Sequence, residues 1–110
     1  MLNLSYNNKG DVLRFTLSKN NVNSINLKML HEFHKALDHI KLSKIRCIVV
    51  DSNQKHFCAG ADLKERSSFS QKETISFLDS LNELYHKIES LSIPTICVVN
   101  GACLGGGLEL

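Results

Sequence analysis

Two short stretches hold the residues whose types and spacing could do chemistry: FCAGADLKER, from Phe57 to Arg66, and NGACLGGGLEL, from Asn100 to Leu110. Neither contains a nucleophile beside a base or a set of metal ligands. What both offer is accessible main chain. Ala59, Gly60 and Ala61 in the first, and Gly105 and Gly106 in the second, are small enough for ligand atoms to reach the backbone. A glycine cluster that opens a helix leaves N–H groups unpaired, and the helix dipole adds positive potential there. That suits an anion, or an oxygen on which negative charge develops. The same small residues would also allow tight packing of turn against helix, so the glycines alone leave both readings open. Glu109 is the one charged residue from Ile93 onward, between Leu108 and Leu110. A carboxylate in apolar surroundings holds its proton more tightly and suits proton transfer near neutral pH. In the first turn of a helix it could equally complement the dipole at the surface.

Both stretches follow apolar runs that read as buried strands, IRCIVVDS and TICVV. In α/β sheets the crevice at the carboxyl ends of the strands is where ligands bind. Upstream, Leu2, Leu4 and Tyr6 alternate, NNKGD supplies a turn, and Leu13, Phe15 and Leu17 alternate again, which predicts a hairpin. A polar loop, SKNNVNS, follows. From about Ser24 the period becomes helical, with Leu30, Phe33, Leu37 and Ile40 on one stripe, and this helix should end near Ser43. Ser70 and Glu73 form a capping-box signature for a second helix over about 71–91, with Leu78, Leu81, Tyr85, Ile88 and Leu91 as its apolar stripe. Pro94 stops it, and LGGGLEL opens a further helix. Strands alternating with helices indicate an α/β architecture in one unit, residues 1–110. The last helix is too short to bury much or bond to itself, so on physical grounds the sequence looks cut off.

Composition narrows the function classes. A net charge of +2 is too small to argue for nucleic acid or a membrane surface, and no apolar run approaches the roughly 18 residues of a membrane span. The opening MLNLSYNNKGD has neither the layout of a secretory signal nor an Arg-rich transit peptide, so a cytoplasmic protein is expected. Cys47, Cys58, Cys97 and Cys103 show no C-x-x-C spacing. His56-x-Cys58 is the only close ligand pair, and no metal is expected. Cys47 and Cys97 fall in apolar runs where thiols behave as small buried hydrophobes, and reduced thiols fit a reducing compartment. His31, His34, His39 and His86 belong to polar faces or their margins.

FCAGADLKER followed by PTICVVNGACLGGGLEL closely resembles the enoyl-CoA hydratase/isomerase (crotonase) superfamily, and the likeness extends over essentially the whole chain. GADLKER with GGGLEL looks most like the methylglutaconyl-CoA hydratase and AU-rich-RNA-binding hydratase branch. The resemblance implies a spiral of strand-strand-helix repeats and C-terminal helices that assemble trimers or hexamers. It implies an oxyanion hole made by the N–H groups of Ala61 and Gly106. Ala59, Gly60, Ala61, Asp62, Leu63 and Lys64, with Gly105 and Gly106, would line the acyl-CoA site, and Glu109 would be one of two catalytic glutamates. Coenzyme A is then part of the substrate, and no separate cofactor is called for. The second glutamate and the assembly helices would lie beyond Leu110, so this chain alone is expected to be inactive or weak. SKNNVNS departs from the family pattern by lacking an arginine-proline pair, with Lys19 the only basic residue nearby.

The implied reaction is hydration of a 2-enoyl-CoA thioester, with double-bond isomerisation as the alternative. A different class of function would be a nucleotide- or RNA-binding fragment. NGACLGGG has neither the Lys-Ser/Thr of a P-loop nor G-x-G-x-x-G. The possible basic stripe Lys28, Lys35, Lys41 and Lys44 is interrupted by Glu32 and Asp38, as in a solvated helix face.

Overall fold

A computed structural model describes residues 1–110. The alternating segments form the hairpin: β1 (Leu2–Tyr6) and β2 (Val12–Leu17) pair antiparallel, with Leu2 opposite Leu17 and Tyr6 opposite Leu13. The Asn7 side-chain oxygen closes the turn by accepting from the Asp11 and Val12 N–H groups. Leu13, Phe15 and Leu17 alternate onto the buried face.

Helix α1 (Leu27–His39) starts later than its periodicity suggests, because Asn26 caps it and accepts from the Met29 N–H. Leu30 and Phe33 of the expected stripe are buried, joined by Met29. A 3-10 turn (Leu42–Lys44) leads into β3 (Cys47–Ser52), which runs parallel to β2 with Val12 opposite Cys47 and Leu17 opposite Ser52. A one-turn helix, α2 (Leu63–Arg66), follows the first glycine-alanine loop. It is too short for apolar periodicity to announce.

Helix α3 (Gln71–Glu89) opens with the reciprocal Ser70–Glu73 capping box and packs against α1. Leu81 of the expected stripe is buried and Tyr85, Ile88 and Leu91 pack against the core, joined by the buried Phe77 and Leu84, while Leu78 faces solvent. Phe69, before the helix, packs its ring against Phe77.

β4 (Thr95–Cys97) lies parallel to β3, and α4 (Gly106–Glu109) ends the chain. The sheet order is β1-β2-β3-β4, so every strand lies beside its predecessor in sequence. The expectation of a second buried strand is corrected here. Ile96, Val98 and Val99 are about half exposed, at 50%, 52% and 52%. Cys97 is exposed rather than buried, while Cys47 is only partly buried. An uninterrupted apolar run signals a strand with both faces covered, but β4 is the outermost strand and no other element of the chain covers it. No helix is long and apolar enough to cross a membrane.

Candidate active site

The loops after β3 and β4 meet and hold each other by main-chain bonds. Phe57 N–H donates to Asn100 O (2.7 Å), Cys58 N–H to Ala102 O (3.2 Å), and Leu104 N–H to Cys58 O (3.0 Å). Cys58 and Cys103 are thereby partners in a short parallel bridge. A side chain adds to it: Ala102 N–H donates to His56 Nδ1 at 2.9 Å, so that nitrogen carries its lone pair.

On its other flank the first loop is bridged to Ile25. Ile25 N–H donates to Gly60 O (2.7 Å) and Asp62 N–H donates to Ile25 O (2.8 Å). In a parallel bridge the partner residue presents its own N–H and C=O to the opposite side. Ala61 is that residue, and its N–H donates to no protein acceptor. Gly106, the first residue of α4, also has an N–H with no protein acceptor, as the start of a helix dictates.

Gly60 brings the two unpaired donors into one neighbourhood. Its φ is +96°, a conformation that favours glycine. A Cβ there would stand 3.0 Å from Leu104 O and 3.2 Å from Gly106 N. The chain therefore crosses the Gly106 amide directly before Ala61. Beneath, Tyr85 Oη donates to Gly106 O at 2.7 Å. Burial, with the charge of Glu109 second, pushes the Tyr85 phenol above its ordinary range.

The Asp62 carboxylate caps α2 by accepting from the Lys64 and Glu65 N–H groups, both at 3.1 Å, and accepts from Lys19 Nζ at 2.8 Å. The Lys19 hydrogen bond first, and the Glu65 N–H next, hold its carboxyl below the usual aspartate range. The Cys58 thiol is pushed upward by burial.

The sequence expectations can now be placed residue by residue. Ala59, Gly60, Ala61, Asp62, Leu63 and Lys64 form one continuous loop and helix start, beside Gly105 and Gly106. Leu63 and Lys64 face solvent. Glu109 lies in α4, one turn from Gly106, and is exposed. Its leucine neighbours do not bury it, since Leu108 is itself 73% exposed. The two loops make an open face; the two largest of the four surface hollows lie between β1 and α1 (about 330 Å³) and over the polar side of α1 and α3 (about 470 Å³).

Sequence reasoning missed the residues that support this face. Asn23, fully buried at φ +47°, donates through its amide to Ser52 Oγ (2.7 Å), His56 O (3.1 Å), Phe57 O (3.1 Å) and Leu17 O (3.4 Å), and accepts from Lys19 N–H (2.9 Å). It ties the ends of β2 and β3 to the first loop. The available signal was an asparagine-rich loop directly after a strand. Nothing in the sequence marked Tyr85 as more than apolar stripe.

The comparisons with known proteins agree with this geometry. The family model described as Enoyl-CoA hydratase/isomerase matches residues 7–110. Enoyl-CoA isomerase/hydratase claC of Penicillium crustosum is 44% identical over 93 residues, covering 80% of this chain and 11% of that protein. Human methylglutaconyl-CoA hydratase, mitochondrial, is 40% identical over 90 residues, covering 80% of this chain and 26% of the relative. The crystal structure of enoyl-CoA hydratase from Bacillus anthracis superimposes with a TM-score of 0.91 at 29% identity, covering 98% of this chain and 43% of that one. The chain thus spans less than half the length of the relatives it matches. With two unpaired amides brought together by two bridged loops, and with a family match over nearly its whole length, the chain belongs to the enoyl-CoA hydratase/isomerase family.

Proposed function

We propose that this chain binds acyl-CoA thioesters and stabilises their enolate form, as the donor half of a 2-enoyl-CoA hydratase of the methylglutaconyl-CoA hydratase type. The observation that carries the reading is the pair of unpaired N–H groups, Ala61 and Gly106, on loops in direct contact. Adding water across a 2-enoyl thioester moves negative charge onto the thioester oxygen. Two pre-aimed main-chain donors meet that charge without reorganising, and losing one costs about 3 kcal/mol of barrier. The small residues Ala59 to Ala61 let the thioester approach the backbone, and Asp62 to Lys64 with Gly105 frame the coenzyme A portion. Glu109 orients water or moves a proton at the carbon chain. Only this one carboxylate stands on the α4 side of the site. Hydration by the 110-residue chain alone is therefore weak.

Calorimetric titration with coenzyme A and with acetoacetyl-CoA, whose acyl group enolises readily, tests the reading. Acetoacetyl-CoA should bind distinctly more tightly than coenzyme A. Equal affinities would refute the donor pair. Rapid loss of the enoyl absorbance of crotonyl-CoA in the presence of the chain would refute the claim of weak activity.

A further inference from the structure

Lys19 stands in the loop after β2, and its ammonium is almost removed from solvent, with the side chain 10% exposed. A lysine in such a position is expensive to desolvate unless it is fully partnered. All its hydrogen bonds are internal: Ser24 O at 3.0 Å, Ser24 Oγ at 2.9 Å and Asp62 Oδ2 at 2.8 Å. Asp62 uses its other oxygen for the N–H groups of Lys64 and Glu65. Its own N–H is bonded to Ile25 O. Both carboxylate oxygens and the amide of Asp62 are thus fixed, and the residue before it is Ala61. The Lys19 ammonium makes no hydrogen bond to Ala61; it holds the residue that follows the donor.

We propose that Lys19 is a positioning residue for the Ala61 N–H: by fixing Asp62, it sets the direction in which that donor meets the thioester oxygen. The inference rests on the acyl-CoA reading above. It also assigns the one basic side chain of the SKNNVNS loop to internal work rather than to the coenzyme A phosphates.

The two roles separate by what changes on substitution. A phosphate ligand supports coenzyme A and acetoacetyl-CoA alike, whereas a group that aims the donor affects only the ligand that places charge on its acyl oxygen. Lys19→Met in the 110-residue chain should leave coenzyme A affinity unchanged and lower the preference for acetoacetyl-CoA roughly tenfold, the order of one charge-assisted hydrogen bond. Lys19→Arg should restore most of that preference.

The pH profile adds a readout that a general loss of packing would not move. Asp62 is faced by Lys19 from the loop after β2 and by the Lys64 and Glu65 N–H groups from α2. The Glu65 carboxylate accepts from Leu27 N–H at 3.0 Å, and Cys58 also feels the Lys19 charge. Since the Lys19 contact is the largest cause of the low Asp62 value, the acid limb of the acetoacetyl-CoA preference should shift to higher pH in Lys19→Met. If Lys19→Met does not fold, Lys19→Gln replaces it, because it ends the ion pair while keeping a hydrogen-bond donor on the side chain, and the same loss of preference is expected.

Equal weakening of both ligands, or an unchanged preference in the folded variant, would overturn the positioning role while leaving the donor pair standing. A wild-type chain with no preference at all would instead overturn the donor pair, and the role of Lys19 with it.

Discussion

Replacing Gly107 with alanine should damage this chain more than any other single methyl group added at its glycine turn. A Cβ on Gly107 would stand 2.1 Å from Cys58 O, 2.7 Å from Cys58 C and 2.8 Å from Cys58 Cβ. Two of these atoms are main chain, so no rotamer change relieves the overlap. Cys58 O is also the acceptor for Leu104 N–H, and Cys58 N–H donates to Ala102 O. Relief to ordinary contact requires α4 to retreat by about an ångström, which breaks the inter-loop bonds. Overpacking costs about 1–3 kcal/mol and each lost hydrogen bond about 1 kcal/mol, so a loss of about 3 kcal/mol is expected. Urea denaturation should show a midpoint lower by roughly 2 M at unchanged slope, for a slope near 1–2 kcal/mol/M. Gly105→Ala is the control. Nothing lies within 4 Å of its Cβ, and only its φ of +50° opposes the change, at about 1–2 kcal/mol. If Gly107→Ala costs no more than Gly105→Ala, the close approach of α4 to Cys58 is not what holds the two loops together.

Three further outcomes follow from the same contacts. Tyr85→Phe removes the 2.7 Å bond to Gly106 O and should cost about 1 kcal/mol. It should also partly rescue Gly106→Ala, whose Cβ would stand 2.7 Å from the Tyr85 hydroxyl, giving a coupling of about 1 kcal/mol in a double-mutant cycle; strict additivity would contradict the contact. Asn23→Ala leaves Phe57 O and the Lys19 N–H without their partner in a buried site, while Leu17 O, Ser52 Oγ and His56 O keep a second donor, and should lower stability by about 3 kcal/mol, measured by thermal melting, with Asn23→Gly recovering part of it at φ +47°. Asp62 has a folded-state value below its unfolded one, so its contribution to stability is present above about pH 4 and is lost as pH falls through the lower folded value. Acid unfolding of wild type against Asp62→Asn should therefore converge only below that pH; a constant gap from pH 7 to pH 2 would refute the linkage.

The elements with strong periodicity were legible in the sequence. β1 and β2 alternate cleanly, and α3 begins at the residue its capping box names. The exposure of Leu78 was not legible, because Phe77 and Leu78 are adjacent apolar candidates for one face, and the fold buries Phe77, which packs against Phe69. The exposure of β4 was not legible either, since an apolar strand reads the same whether or not a neighbour covers it. At the site, the small residues announced a main-chain surface. Which N–H groups stay unpaired depends on the bridges Ile25–Ala61 and Cys58–Cys103, and such pairings between distant segments leave no mark in local sequence. Lys19 and Asp62 are 43 positions apart and meet only through that same folding.

The strand order has a consequence for how the chain comes into being. Each strand docks on the one made just before it, with α1 and then α3 formed in between. Once β1 is made, each new strand finds a partner already synthesised. Folding can therefore advance with synthesis from the N-terminus. The proposed donor face is the exception: Ala61 is made before Gly106 exists, and the two unpaired amides come together only when α4 closes against Cys58.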